Sequence, residues 1–282
     1  TGLRAKVGNY AGVTVERKEG RLLGVLPGAN VRVLDLPGSY SLSPHSLDEQ
    51  ISRDVLLNRL PELPAPTVIV LVVDASNLQR NLYYATQVIE LGYPTLVALN
   101  MVDVAEKIGH RIQPDKLAAE LGVPVCPLVA NTGQGMPELR RAIQAALDRP
   151  APAGTRRFPE LPPVLQAELD ALAALLAQTF QERRAQAAAE ALLILSNEKA
   201  LASSLEHYPA PVLDAVSAAR QRLETAGVDW RTIGIENRYQ AVAAIEQAAT
   251  TELVPPGETF SDRLDHVLTH KVFGMATFAL VM

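Results

Sequence analysis

Cysteine is nearly absent from this chain: a single thiol, Cys126, stands in 282 residues. A disulfide framework within the chain is excluded. The setting Val123-Pro124-Val125-Cys126-Pro127-Leu128-Val129 makes that thiol a small apolar residue of a buried strand rather than a reactive group. Excess positive charge is missing as well. With 26 Lys and Arg against 31 Asp and Glu, the net charge is −5, which argues against nonspecific nucleic-acid binding through a basic field. The uncharged tail Val272–Met282 stops after 11 residues, short of the roughly 20 that a spanning helix needs. There is no initiator Met, no signal-peptide pattern and no Gly-x-x-x-x-Gly-Lys-Ser/Thr phosphate loop. What is present, 48% hydrophobic and 20% charged residues, suffices for real cores in one large or two ordinary domains.

Elements alternate through the first half. Val13 to Leu26, with Gly20 in its middle, reads as a hairpin arm, and Val31 to Asp35 as a strand running into Leu36-Pro37-Gly38. Ser46-Leu47-Asp48-Glu49 matches a capping box and predicts a helix that buries Ile51, Val55 and Leu56. The uniformly apolar Val68–Asp74 predicts a central parallel strand covered on both faces. A helix near Leu82 to Leu91 ending at Gly92, a strand from Thr95 to Leu99, a helix from Pro114 to Gly122, a strand around Cys126 and a helix from Pro137 to Leu147 follow. This pattern is α/β, a doubly wound, mostly parallel sheet.

Composition changes at Arg149-Pro150-Ala151-Pro152-Ala153-Gly154, which sets a boundary after residue 150. Residues 151–256 read as a small all-α domain without strands, its apolar stripes carried by Leu169, Leu172, Leu175 and Leu176, by Leu192, Leu193 and Leu195, and by Val212, Leu213, Val216 and Leu223. By itself this domain reads as a helical spacer or interaction module. In residues 257–282, Ser261 caps a linker helix carrying Leu264, Val267 and Leu268, and Val272 onward is either a short buried segment or the start of a transmembrane helix.

Four loops carry the chemistry. At the end of a strand, Asp35 in Asp35-Leu36-Pro37-Gly38 is placed to hold magnesium through water, and the Gly38 amide to meet a terminal phosphate. Thr14, in Gly12-Val13-Thr14-Val15-Glu16, would add its hydroxyl to the metal and its amide to the phosphate. Asn100-Met101-Val102-Asp103 follows an apolar strand. There the Asp103 carboxylate accepts two donors from the guanine edge and rejects adenine, while Asn100 ties the loop to its neighbours. Ala130-Asn131-Thr132 reads equally well as a loop whose backbone amide meets the guanine oxygen and as a plain turn introducing the next helix. Each motif alone is a common turn or cap. Their order and placement are those of a switch that binds GTP or GDP with Mg2+. Ser39 follows Gly38 where many such switches carry Gln, and no catalytic residue is assigned. Asp74 reads as a cap, Trp230 as packing, and His266 with His270 as a solvated or interfacial pair.

These residues resemble the bacterial ferrous iron transport protein B family, membrane proteins with a cytosolic GTPase domain of the phosphate-loop type. Val7 to Gly20 is similar to its first switch, Asp35 to Leu42 with Ser46 to Gln50 to its second, and Val73 to Tyr83 to the strand and helix that follow. Asn100-Met101-Val102-Asp103 fits a family in which Met stands where most GTPases have Lys. Asn237-Arg238-Tyr239 and Ser261 to Asp265 are similar to the approach to its first membrane helix. The resemblance implies GTP-dependent uptake of Fe(II) across the cytoplasmic (inner) membrane, with this chain on the cytosolic side and the helical domain favouring bound GDP. It also implies K+ as an activator, homo-oligomerisation and small accessory iron-transport proteins as partners, and a first membrane helix beginning near Val272. The family's phosphate loop, with its Lys, its magnesium-binding Ser/Thr and the Asn linked to potassium, lies outside this chain, which would begin just after its own phosphate cradle. Ala130-Asn131-Thr132 departs from the family's Ser-rich loop.

A soluble switch GTPase of ribosome or tRNA processing and a nonenzymatic regulatory module are the alternatives. Lacking a phosphate loop, the chain by itself is expected to bind GTP more weakly than micromolar and to hydrolyse it at no useful rate. Micromolar binding in a titration with a fluorescent GTP analogue would contradict this.

Overall fold

Three strands, β1 (Lys6–Asn9), β2 (Glu16–Arg21) and β3 (Arg32–Asp35), open the fold as an antiparallel meander in the order β1-β2-β3. The computed structural model describes residues 6–10, 15–22, 31–44, 46–148 and 156–253. The hairpin arm expected from sequence is thus β2 with β3, and β1 adds a strand where only a switch loop was expected. Helix α1 (Leu47–Leu56) starts as its capping box requires, the Ser46 side chain accepting from the Glu49 amide at 3.3 Å. Its inward face buries Ile51, Ser52, Arg53, Val55 and Leu56.

The parallel ladder consists of β4 (Ile69–Asp74), β5 (Thr95–Asn100) and β7 (Val125–Pro127), in the order β4-β5-β7, with β6 (His110–Ile112) outside it. Between these strands run α2 (Leu78–Ile89), α3 (Val102–Lys107) and α4 (Pro114–Leu121), and α5 (Met136–Leu147) follows β7. The α/β alternation and the parallel sheet read from sequence are the observed fold. One detail differs: β5, not β4, is the central strand of this ladder, with Leu96, Val97, Ala98 and Leu99 all buried. β4 packs Leu71 and Val73 inward but leaves Val70 36% and Val72 69% exposed. Alternate strand residues point to opposite faces, and an apolar run does not reveal which face is covered. Asp74 accepts from the Ser76 amide at 2.9 Å, the cap expected from sequence.

The second half is helical: α6 (Pro163–Thr179), α7 (Ala187–Ser196), α8 (Glu198–Ala202), α9 (Ala210–Thr225) and α10 (Ile233–Ala249). Leu165, Leu169, Leu172, Leu176, Ile194, Val212, Val216, Leu223 and Trp230 form one apolar core. Trp230 is packing, as expected, with the Arg220 and Arg231 guanidinium groups lying over its ring. Two features were not visible in the sequence. α10 packs against α2 and α4, so that Val242, Ile245 and Ala249 share a core with Leu82, Leu117 and Leu121. The chain then forms β8 (Thr250–Glu252), antiparallel to β6, where no strand was expected. The linker at 149–155 and the tail from 254 onward, with its expected membrane helix and both His266 and His270, lie outside the described residues. Among the described residues, no helix is long and apolar enough to cross a membrane.

Buried charge joins the two halves. Arg59, just past α1, donates to Glu190 Oε1 on α7 at 2.8 Å, to Asp54 at 3.1 Å and to Ser204 Oγ at 3.1 Å, and it also reaches the Tyr208 hydroxyl. Tyr208 donates to the same Glu190 oxygen at 2.7 Å. Burial, then the Glu190 charge, drives the Tyr208 phenol pKa far upward. Burial opposes the Arg59 charge, but the surrounding Tyr208, Glu190 and Asp54 raise its pKa overall. Arg53 on α1 donates to Ser203 Oγ at 2.8 Å. A second buried pair, Arg238 Nη2 to Glu90 Oε2 at 2.6 Å, ties α10 to the end of α2.

Breaking a buried pair strands a charge, so Glu190→Ala should cost about 3–5 kcal/mol in urea unfolding. Glu138→Ala, which removes an exposed pair with Arg141, should leave the unfolding midpoint unchanged.

Candidate functional site

Parallel strands place their carboxyl ends along one edge, and there the structure assembles the Asn100–Asp103 and Ala130–Thr132 loops. Asp74 and Asn100 are register partners at the ends of β4 and β5, and the chain leaving β7 passes beside them. The Asn100 side-chain oxygen accepts from the Ala130 amide at 3.0 Å across 30 residues of sequence. This is the loop-tying role that the residue type suggested. Met101 adopts the left-handed conformation, φ 62°, at a cost of about 1–3 kcal/mol for a side-chain-bearing residue. That turn lets α3 begin at Val102 and puts Asp103 in its first turn, half-exposed. Among the described residues, the Asp103 carboxylate has one ionic neighbour, the exposed Lys107 at a long 3.9 Å.

Ala130, Asn131 and Thr132 form an exposed turn closed by the Thr132 and Gly133 amides on the Val129 carbonyl, both at 3.1 Å. The turn delivers the chain to α5 through Gly135 at φ 80°, where a Cβ would run into the Pro127 carbonyl, so only glycine fits. The plain-turn reading describes this backbone, and with the Ala130 and Thr132 amides bonded to Asn100 and Val129, the Asn131 amide is the one left to the base-contact reading.

The Asp35–Gly38 loop stands on the other ladder. Asp35 ends β3 with its side chain exposed, and among the described residues it has no ion pair. Leu36 packs into two apolar clusters. The Pro37 carbonyl accepts from Ser52 Oγ at 2.9 Å. At Gly38 a Cβ would meet nothing within 4 Å, so the backbone there faces open space. Tyr84 lies close by, and burial pushes its phenol up to about 12. No hydrogen bond or ion pair among the described residues joins Asp35 to the Asn100 loop. Of the upstream segment, Gly12, Val13 and Thr14 lie outside the described residues, Val15 is buried with its carbonyl accepting from the Tyr10 amide at 3.1 Å, and Glu16 begins β2 exposed.

The donor set fits its expected ligands. Mg2+ favours one or two carboxylates completed by phosphate and water over an all-protein cage. Asp35 offers one free carboxylate, and no cluster of three His, Cys, Asp or Glu exists among the described residues. Sequence reasoning missed Ser52. Its signal was a small polar residue inside the apolar stripe Ile51, Val55 and Leu56.

The family model of the ferrous iron transport protein B matches residues 1–143. The chain belongs to this family. Over its whole length it is 36% identical to the Fe(2+) transporter FeoB of Escherichia coli (strain K12), of which it covers 35%; the chain thus spans about a third of the length of the curated relatives it matches. The cytosolic domain of L. pneumophila FeoB superposes with a TM-score of 0.72 at 29% identity, covering 89% of this chain and 92% of that one. A GDP-bound mutant of S. thermophilus NFeoB gives 0.72 at 31% identity, with the same coverage. The α/β architecture of this FeoB-family chain is that of those solved domains.

Asn100→Ala removes the acceptor of the Ala130 amide. Exchange of that amide should quicken about fivefold, the equivalent of ~1 kcal/mol, with the other α5-side amides unchanged, as read by hydrogen–deuterium exchange.

Proposed function

We propose that this chain is the guanine-nucleotide-binding, cytosolic part of a ferrous iron transporter in the cytoplasmic membrane, coupling a GTP switch to Fe(II) uptake. The observation that carries the reading is the Asn100 to Ala130 hydrogen bond. It holds two loops of the parallel edge together with Asp103 beside them, the arrangement a base pocket requires. The GDP in the S. thermophilus relative supports it. On this reading residues 1–150 form the GTPase domain without its phosphate loop, 151–256 a helical domain that favours bound GDP, and 257–282 the approach to the membrane.

Each residue has a task. Asp103 accepts from the two N–H donors of the guanine edge, which adenine lacks, and Asn100 keeps the 130–132 turn in place against the base. Gly38, with no side chain and open space before it, brings a backbone amide to the terminal phosphate. Asp35 supplies a carboxylate oxygen toward Mg2+, helped by Thr14. When bound, Mg2+ neutralises charge on the phosphate oxygens. The phosphate cradle is supplied from outside these residues. The exposed Val70 and Val72, and the side of β4 without a partner among the described residues, suit a further parallel strand with a covering helix. K+ activation, oligomerisation and accessory iron-transport proteins belong to the same proposal, and iron itself is cargo of the membrane part.

Asp103→Asn tests the base assignment. It replaces one acceptor by a donor, so in the full-length protein GDP affinity should fall at least about tenfold. XDP, which carries an oxygen in place of the guanine amine, should gain. Competition against a fluorescent GDP analogue measures both. Equal affinity for guanine and adenine nucleotides in the unmodified protein would overturn the proposal.

A further inference from the structure

We infer that Ser52 is a positioning residue for terminal-phosphate sensing: by holding the Pro37 carbonyl it fixes the direction in which the Gly38 N–H points. This rests on the guanine-nucleotide reading above and adds to it the residue that makes the site respond to GTP rather than GDP.

Ser52 is 1% exposed and sits on the inward face of α1. Its hydroxyl lies 2.9 Å from the Pro37 carbonyl, 15 residues away, and 3.2 Å from the Asp48 carbonyl of its own helix. One hydroxyl has one proton. The contact to Asp48 is the ordinary bond of a helical serine to the preceding turn; the shorter contact, to Pro37, reaches out of the helix to the Asp35–Gly38 turn. A peptide unit is planar, and a trans unit directs its C=O and N–H to opposite sides. No cis bond occurs among the described residues. With the Pro37 oxygen drawn toward α1, the Gly38 amide of the same peptide unit must face away from α1, and at Gly38 a Cβ would meet nothing within 4 Å, so no side chain crowds that residue.

The remaining freedom of the turn is restricted on its upstream side. Pro37 has a fixed φ, and Leu36 is anchored in apolar packing. Ser39 Oγ also approaches the Pro37 oxygen, at 3.5 Å, too far to replace Ser52. An amide already aimed needs no peptide rotation when a terminal phosphate arrives. GDP, which has no such phosphate, gains nothing from the arrangement. A ligand can bias a conformation only through differential affinity, and Ser52 acts on that difference.

The test is equilibrium binding of mant-GDP and of a non-hydrolysable GTP analogue to the full-length protein, as wild type, Ser52→Ala and Ser52→Thr. Ser52→Ala should weaken the analogue about five- to tenfold, the worth of one well-aimed hydrogen bond, while GDP affinity changes less than about twofold. Ser52→Thr, which keeps the hydroxyl, should restore the discrimination. Hydrogen exchange gives an independent reading: the analogue should slow exchange at the Gly38 amide in wild type and do so markedly less in Ser52→Ala. Equal weakening of both nucleotides, no weakening of either, or equal protection of Gly38 in both proteins overturns the role of Ser52 alone. A wild-type protein that binds neither nucleotide overturns the functional reading along with it.

Discussion

The fully buried pair of Arg59 and Glu190 is the constraint on which the rest of the arrangement hangs. A guanidinium and a carboxylate removed from water are tolerated only in a narrow geometry with further hydrogen bonds, here Tyr208 donating to Glu190, and Ser204 and Asp54 accepting from Arg59. Because the chain reaches Arg59 directly from α1, satisfying that charge fixes the end of α1 against α7. Arg53, seated on Ser203, fixes the middle of the helix. Residues 52 and 53 are neighbours on one helix, yet Ser52 grips the turn after β3 while Arg53 grips the chain just past α8. α1 is thus a short rigid element held on two sides.

The same rigidity separates the two kinds of site residue. Asn100, Met101 and Asp103 are positioned by covalent continuity with the most deeply buried strand, and their geometry follows from β5. The turn at Pro37–Gly38 has no such support from the parallel ladder: β3 pairs only with β2 among the described residues. Its carbonyl is held instead by a side chain from α1. Under the function proposed above, base recognition rests on the sheet, and phosphate recognition on a helix that the helical half of the chain can reach.

Local punctuation was readable. Ser46, Pro114 with Gly122, and Gly92 each start or stop a helix through chemistry confined to a few residues, and the structure places helix ends there. The motif residues were legible for the same reason, since Asn100 acts through a loop that its own strand positions. What escaped were pairings between distant segments. Nothing near Arg59 announces a partner 131 residues away. The triplets His110–Ile112 and Thr250–Glu252 are too short and too polar to show a strand period. The open face of β4 was hidden because Val70 and Val72 look the same in sequence whether covered or bare.

The β6–β8 pairing has a mechanical consequence. The Leu253 amide donates to the Gly109 carbonyl at 2.7 Å, and His110 faces Glu252, so the end of β8 and the start of β6 lie at the same end of the ladder. Tension applied to the chain beyond Leu253, resisted at α3, therefore loads these bonds in unzipping geometry, one after another from Leu253 inward. Such a ladder yields at low force and re-forms readily. The exit of the chain is a soft clip fastened next to the helix that carries Asp103.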